Sequence, residues 1–185
     1  MWCDESVIDT PVIVDRAGLW DAEALSAVAA ATFPLACPPG MLAEDVEAFV
    51  VGVLSAERFG DYLSDPDRTV LKAVANGEIV GYAMLIAGEP ADPDVARVVR
   101  SRPAIEINKM YVLPGQHGSG VSTALMAAAV DTARRGGYAV VWLGVNQENE
   151  RAQRFYGKHG FDRVGVKTFT LGTRLCQDFV MQRVL

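Results

Sequence analysis

The chain has 185 residues, half of them apolar and 22% charged, with 17 Lys and Arg against 23 Asp and Glu for a formal charge of −6. That balance belongs to a globular chain of one-domain size spanning residues 1–185 and excludes a disordered one, while the negative sign works against a phosphate backbone, so no nucleic acid partner is expected. No apolar run approaches the ~18 residues of a membrane span and the first ten residues carry no basic-then-apolar leader, so a cytoplasmic protein with no membrane partner is expected.

Cys3, Cys37 and Cys176 are odd in number and lack the paired spacing of a zinc site or a disulfide framework, which reads as reduced thiols and no metal. Residues 11–16 read as a short strand, and Asp21 as the cap of a helix whose apolar face is Leu25, Val28, Ala29 and Phe33. After Pro38-Pro39-Gly40, the residues Leu42, Val46, Phe49, Val50, Val53 and Leu54 recur at the spacing of one helical stripe. Such a stripe serves core packing or, less commonly, the wall of a substrate cleft.

Residues 69–75 and 78–86 are β-prone runs around Asn76-Gly77, a pair that tolerates the positive φ of a type I′ turn and therefore predicts a hairpin. The polar stretch 88–103 predicts a long loop. A strand over 104–112, a helix over 119–135, a strand over 139–145 and a helix over 149–159 closed by Gly160 follow. Residues 163–170 and 176–183 read as a final hairpin around Gly172. This order defines an α/β chain with a mixed sheet of six or seven strands, helices on both faces and a right-handed parallel crossover between the strands at 104–112 and 139–145.

Directly after the fourth strand runs Pro114-Gly115-Gln116-His117-Gly118-Ser119-Gly120-Val121-Ser122-Thr123, a glycine-rich turn feeding a helix. Unpaired amides at such a helix start, reinforced by its dipole, form a site for a pyrophosphate, and glycines allow its close approach. A nucleoside-triphosphate loop would need Gly-Lys-Ser/Thr, which is absent, and a dinucleotide fingerprint would need a third glycine where Thr123 stands. A glycine-rich turn with no ligand is the plainer alternative.

Further on, Asn149-Glu150-Arg151-Ala152-Gln153-Arg154-Phe155-Tyr156 leads to Gly160-Phe161, with Ala152, Phe155, Tyr156 and His159 on one helical face. By spacing alone Tyr156 is a packing aromatic, Asn149 a helix cap and His159 a packing or surface histidine. Strict alternation over 104–112 puts Glu106, Asn108, Met110 and Val112 on one strand face, with Ile105, Ile107, Lys109 and Tyr111 on the other. A mid-strand carboxylate such as Glu106 is disfavoured unless it is paired, solvated in a cleft or functional.

These segments resemble the two signature motifs of the GNAT N-acetyltransferases: residues 105–125 the cofactor loop, Gln/Arg-x-x-Gly-x-Gly/Ala, and Asn149 to Phe161 the helix Asn-x-x-Ala-x-x-Phe-Tyr with its Gly-Phe ending. His117 and Ser122 depart from the strict form of the first, while Gly120 keeps its required glycine. Within the family, Trp142 to Val145 and the tail from Leu171 are most similar to spermidine/spermine acetyltransferases of the PaiA type. The resemblance implies a GNAT fold with a splayed parallel pair of fourth and fifth strands, acetyl-CoA as cofactor with CoA as product, and direct transfer to a small polyamine-like or peptide amine.

It further implies that His117, Gly118, Ser119, Gly120, Val121, Ser122 and Thr123 hold the pyrophosphate. Main-chain groups of Met110, Tyr111 and Val112 would pair with the pantetheine arm, which Asn149 and Ala152 also border. Tyr156 would be the general acid and Glu106, eleven residues before His117, the general base. A homodimer is compatible with this reading, as is a non-catalytic acyl-CoA-binding module of the same fold.

Overall fold

The computed structural model describes residues 11–116 and 120–185. Asn76 and Gly77 take φ of +53° and +79°, so the predicted tight turn forms and sets the antiparallel register of β2 (Arg68–Ala75) on β3 (Glu78–Ala87). Outward from this hairpin lies β1 (Ile13–Arg16); inward lie β4 (Ala104–Val112), β5 (Val140–Asn146), β7 (Arg174–Val184) and β6 (Asp162–Leu171). Together they make one seven-stranded sheet of order β1-β2-β3-β4-β5-β7-β6, antiparallel except for β4 and β5. The mixed sheet is as the chain order implied.

Helices cover both faces. On one side α1 (Ala22–Ala36), α2 (Ala43–Val53) and α3 (Ala56–Ser64) enclose a core containing Leu25, Phe33, Leu54, Phe59 and Tyr82. On the other, α5 (Val121–Arg135) and α6 (Glu150–Lys158) close over Leu125, Met126, Ile105, Ile107 and Leu143. The short helix α4 (Pro93–Val98) seals a third cluster against Trp142 and Val180 with Val95.

Three local expectations change. Asp21 has no side-chain bond to the start of α1; its carboxylate accepts the Gly18 amide at 2.8 Å and Lys72 Nζ at 2.9 Å, so it pins the 3-10 turn Leu19–Asp21 to β2 instead. The stretch 88–103 is not all loop: Asp92 accepts from the Asp94 amide and Pro93 opens α4, an arrangement suited to a helix start because proline has no amide to leave unpaired. The segment after Leu54, for which no element was expected, forms α3, capped by Ser55 accepting from the Arg58 amide.

The consequential departure is in β4. Against β3, Met84 pairs with Lys109 but Leu85 with Ile107, so Asn108 is an extra, exposed residue in a β-bulge. A bulge shifts every later side chain to the opposite face. Met110 and Val112 accordingly join Ile105 and Ile107 beneath α5, while Tyr111 packs on the α1 side with Phe33 and Tyr82. Glu106 therefore shares its face with Lys109 and Tyr111, and the strict alternation assumed from sequence is overturned.

Candidate active site

The site begins where two parallel strands part. β4 and β5 pair only at Ala104–Val140, Ile105–Val141 and Glu106–Trp142. Beyond Glu106 the β4 edge has no strand beside it, and residues 107–111 and 144–146 diverge to line a cavity of about 290 Å³. Main-chain donors and acceptors on such an edge are available to an extended partner, because a buried backbone group left unpaired is costly.

The cavity lies on the α1 side of the sheet. Its roof is the end of α1 with Phe33, Cys37 and Pro38, together with Phe49 within α2 and Leu54 just past its end. Phe33 and Phe49 stack at 4.4 Å, and Phe169 meets Phe49 edge-on at 6.2 Å. The α2 stripe chiefly packs on the core: Val46, Phe49, Val50 and Val53 lie against the cluster that holds Leu54, fully buried just past the helix end, while Phe49 and Leu54 also line the cleft. Arg174 of β7 donates to the Pro39 carbonyl at 2.7 Å, which ties the loop before α2 to the last hairpin.

A second cavity of about 300 Å³ opens on the other side of the gap, between the end of α1, the end of β4 and the starts of α5 and α6. Met110, Tyr111, Asn149, Ala152 and Tyr156 border both, so the two join through the splay. Ser122 and Val112 face the second one. Gly120, at the start of α5, has φ +82°, and among the described residues nothing lies within 4 Å of where a Cβ would stand; glycine has no side chain to cap the helix, and the first amides of such a start suit another acceptor. Val121 is buried in the core and Thr123 is exposed. His117, Gly118 and Ser119 lie outside the described residues, as does Cys3.

Tyr156 is half-buried on α6 and packs against Phe155 and Phe161; burial pushes its phenol up to about 12, so it keeps its proton at neutral pH. Burial also raises the Tyr111 phenol, with Tyr156, Cys37 and Asp178 adding to the effect. Asn149 caps α6, its Oδ1 accepting the Ala152 amide at 3.0 Å, and faces both cavities as it does so. His159 bonds the Phe155 carbonyl through Nδ1 at 2.8 Å and packs its ring, tilted by 45°, against Phe155, which is a packing role.

Glu106 sits at the fork and accepts from Asn108 Nδ2 at 3.2 Å. Sequence reasoning missed three charged neighbours in the same cavity: Lys109, Lys167 and Asp178. Lys109 Nζ donates to Asn108 Oδ1 at 2.7 Å, and burial, helped by nearby Arg68, lowers it to about 8. Burial raises the Asp178 carboxyl, opposed by Lys167 and by a hydrogen bond from Asn146. The signal available was charge placed within β-prone runs, at Lys109, Lys167 and Asp178, the same clue that singled out Glu106. Cys37 and Cys176, distant in sequence, face this cavity together.

Comparison with known proteins agrees with this architecture. Residues 39–161 match the model of the acetyltransferase (GNAT) family, and this chain belongs to that family. An uncharacterized N-acetyltransferase of Mycobacterium tuberculosis is 50% identical over 165 residues, covering 89% of this chain and 98% of that protein, and one from Mycobacterium bovis matches to the same extent. Among solved structures, the PaiA N-acetyltransferase of Thermoplasma acidophilum in complex with coenzyme A superposes with a TM-score of 0.74 at 20% identity, covering 95% of this chain and 99% of that one. A GCN5-related N-acetyltransferase from Rhodopseudomonas palustris superposes at 0.70 with 22% identity, covering 95% and 96%. Among the described residues no helix is long and apolar enough to cross a membrane.

Proposed function

We propose that the chain is an N-acetyltransferase moving an acetyl group from acetyl-CoA to a primary amine by direct transfer, with the donor in the second cavity and the acceptor in the first. The observation that carries this reading is the join between them: Tyr156, protonated and half-buried, stands where the two cavities meet through the splayed strands.

The residues present fit such a donor. The β4 edge beyond Glu106 offers unpaired main chain at Met110, Tyr111 and Val112, which suits the amides of a pantetheine arm. The start of α5 at Gly120, a residue with no side chain to cap it, with the amides of Val121, Ser122 and Thr123, suits a pyrophosphate. Asn149 and Ala152 border the passage between. Bound there, acetyl-CoA supplies an activated acetyl thioester.

Tyr156 then holds a proton at Oη and offers it to sulfur as charge develops there, which is general-acid or hydrogen-bond assistance. Glu106, at the fork and on the acceptor side, takes a proton from the amine directly or through water. Enclosure in the narrow gap orients amine and thioester and limits competing water. A polyamine, which the PaiA-type resemblance implies, and a peptide amine are both acceptors of the required chemistry.

The test is release of free CoA thiol from acetyl-CoA across polyamines, amino acids, aminoglycosides and N-terminal peptides. Turnover with at least one amine is expected, and retention of full activity by Tyr156→Phe would remove the acid role.

A further inference from the structure

The acceptor cavity carries both signs of charge without close ion pairing, although Lys167 acts on the Asp178 carboxyl and Glu106 on the Lys109 ammonium through space. Glu106 and Asp178 supply two carboxylates, and Lys109 and Lys167 two ammonium groups. Among the described residues none of these four forms an ion pair within 4.0 Å, although seven pairs elsewhere do. Lys167 and Asp178 are direct cross-strand neighbours on β6 and β7, and Lys109 lies three residues from Glu106, so neutralising contacts were within reach of ordinary rotamers. Lys109 instead spends its hydrogen bond on Asn108, and that asparagine in turn donates to Glu106. Half-buried charges held apart in this way are ordinarily compensated by a partner of opposite sign.

The remaining lining sets Asn108, Asn146, Asn149 and the phenols of Tyr111 and Tyr156 beside an apolar side. Phe49 joins Phe33 and Phe169 into an aromatic wall above the charged floor. The volume of about 290 Å³ sits at the small end of the ~300–1,000 Å³ usual for small-molecule sites.

Resting on the acetyltransferase reading, we propose that the acceptor is a small zwitterion: a primary amine that also bears a carboxylate and an apolar or aromatic body. Glu106 and Asp178 face its amine, Lys109 and Lys167 receive its carboxylate, and the phenylalanine wall covers its body. A polyamine would bring several cations into a cavity already holding two lysines, with Arg68 close enough to lower one of them, and so fits the charge pattern poorly.

The experiment compares matched acceptors by CoA-thiol release: L-phenylalanine against 2-phenylethylamine, 5-aminopentanoate against pentylamine, and spermidine. In at least one pair the carboxylated member is expected to show a kcat/KM higher by about tenfold or more, the scale of one charged hydrogen bond. That preference should collapse in Lys109→Gln or Lys167→Gln and be partly restored in Lys109→Arg. Because the readout is a ratio between two substrates of one preparation, partial misfolding of a variant cancels. Equal or faster turnover of the amines without a carboxylate, spermidine included, overturns the zwitterion assignment and leaves acetyl transfer standing. Absence of turnover with every amine, with acetyl-CoA bound, counts against the transferase reading and this assignment together.

Discussion

Tyr111 and Tyr156 reach the same gap from opposite faces of the sheet: the first packs with the core under α1, the second with the core under α5, and both border the two joined cavities. The bulge at Asn108 makes this meeting occur, since without it Tyr111 would point the other way. Burial raises both phenols, and a charge on Tyr156 would further oppose ionisation of Tyr111.

Tyr156→Phe is therefore expected to lower kcat by about 10²–10⁴-fold with little change in KM, the range for loss of a positioned acid. Since burial places the Tyr156 phenol at about 12, its neutral form is lost only as pH rises through that value. Ultraviolet titration of tyrosinate should show no difference between the wild-type protein and Tyr156→Phe below about pH 11. A difference appearing near 10, the ordinary phenol value, would mean that the ring is solvated and unsuited to the role.

Glu106→Gln tests the base. Removing it should lower kcat about 10²-fold near neutral pH, and the deficit should shrink as pH rises and the free amine no longer needs a proton acceptor. A rate–pH profile parallel to wild type at every pH would show that Glu106 only lines the fork.

Much of this arrangement is legible in the chain, for identifiable reasons. Asn76-Gly77 has few alternatives to a tight turn, and Asn149 followed by Ala152 and Tyr156 encodes cap and face together within one helix. The bulge at Asn108 leaves no comparable trace: period-2 reasoning assumes an unbroken ladder, and what breaks it is the register of a partner strand more than twenty residues earlier. α3 is hidden because Gly60 interrupts a short, charged segment, and its one fully buried side chain is Phe59. α4 is concealed in a stretch rich in proline and acid, although Asp92-Pro93 is itself a helix-start signal. The charged floor from β4, β6 and β7 is assembled only by the sheet order, which local pattern does not encode.

Gly120→Ala probes the start of α5. Among the described residues nothing lies within 4 Å of the position a Cβ would take, so the cost expected is that of a left-handed backbone, about 1–2 kcal/mol. Thermal unfolding should register that loss, and the KM for acetyl-CoA should rise more than the KM for the amine. The reverse order would place the donor elsewhere.

Gly144 is a different case, because a Cβ there would fall 2.5 Å from Lys167 Cε and 3.3 Å from Asp178 Oδ2. Lysine is flexible enough to move, so Gly144→Ala should fold with a change in stability of about 1 kcal/mol or less. Displacing Lys167 from the cavity should raise the KM for the acceptor and leave that for acetyl-CoA unchanged. Equal effects on both would indicate a general distortion of the splay.

Lys109 provides a check that does not depend on catalysis. Its ammonium is lowered from 10.5 to about 8, chiefly by burial and then by Arg68, so folding disfavours the charged form. Between pH 8 and 10.5 the unfolded chain binds the extra proton, and the stability contributed by this site rises with pH across that window. Lys109→Met should thus be more stable than wild type near neutral pH, by roughly 1–2 kcal/mol once partial exposure is allowed for, with the advantage disappearing by about pH 10.5. Chemical denaturation at several pH values measures it. A residue whose removal stabilises the fold while abolishing preference for carboxylated acceptors is held in place for binding, since functional sites commonly retain groups that weaken the native state. A destabilised Lys109→Met protein at neutral pH would show instead that the ammonium is satisfied where it stands.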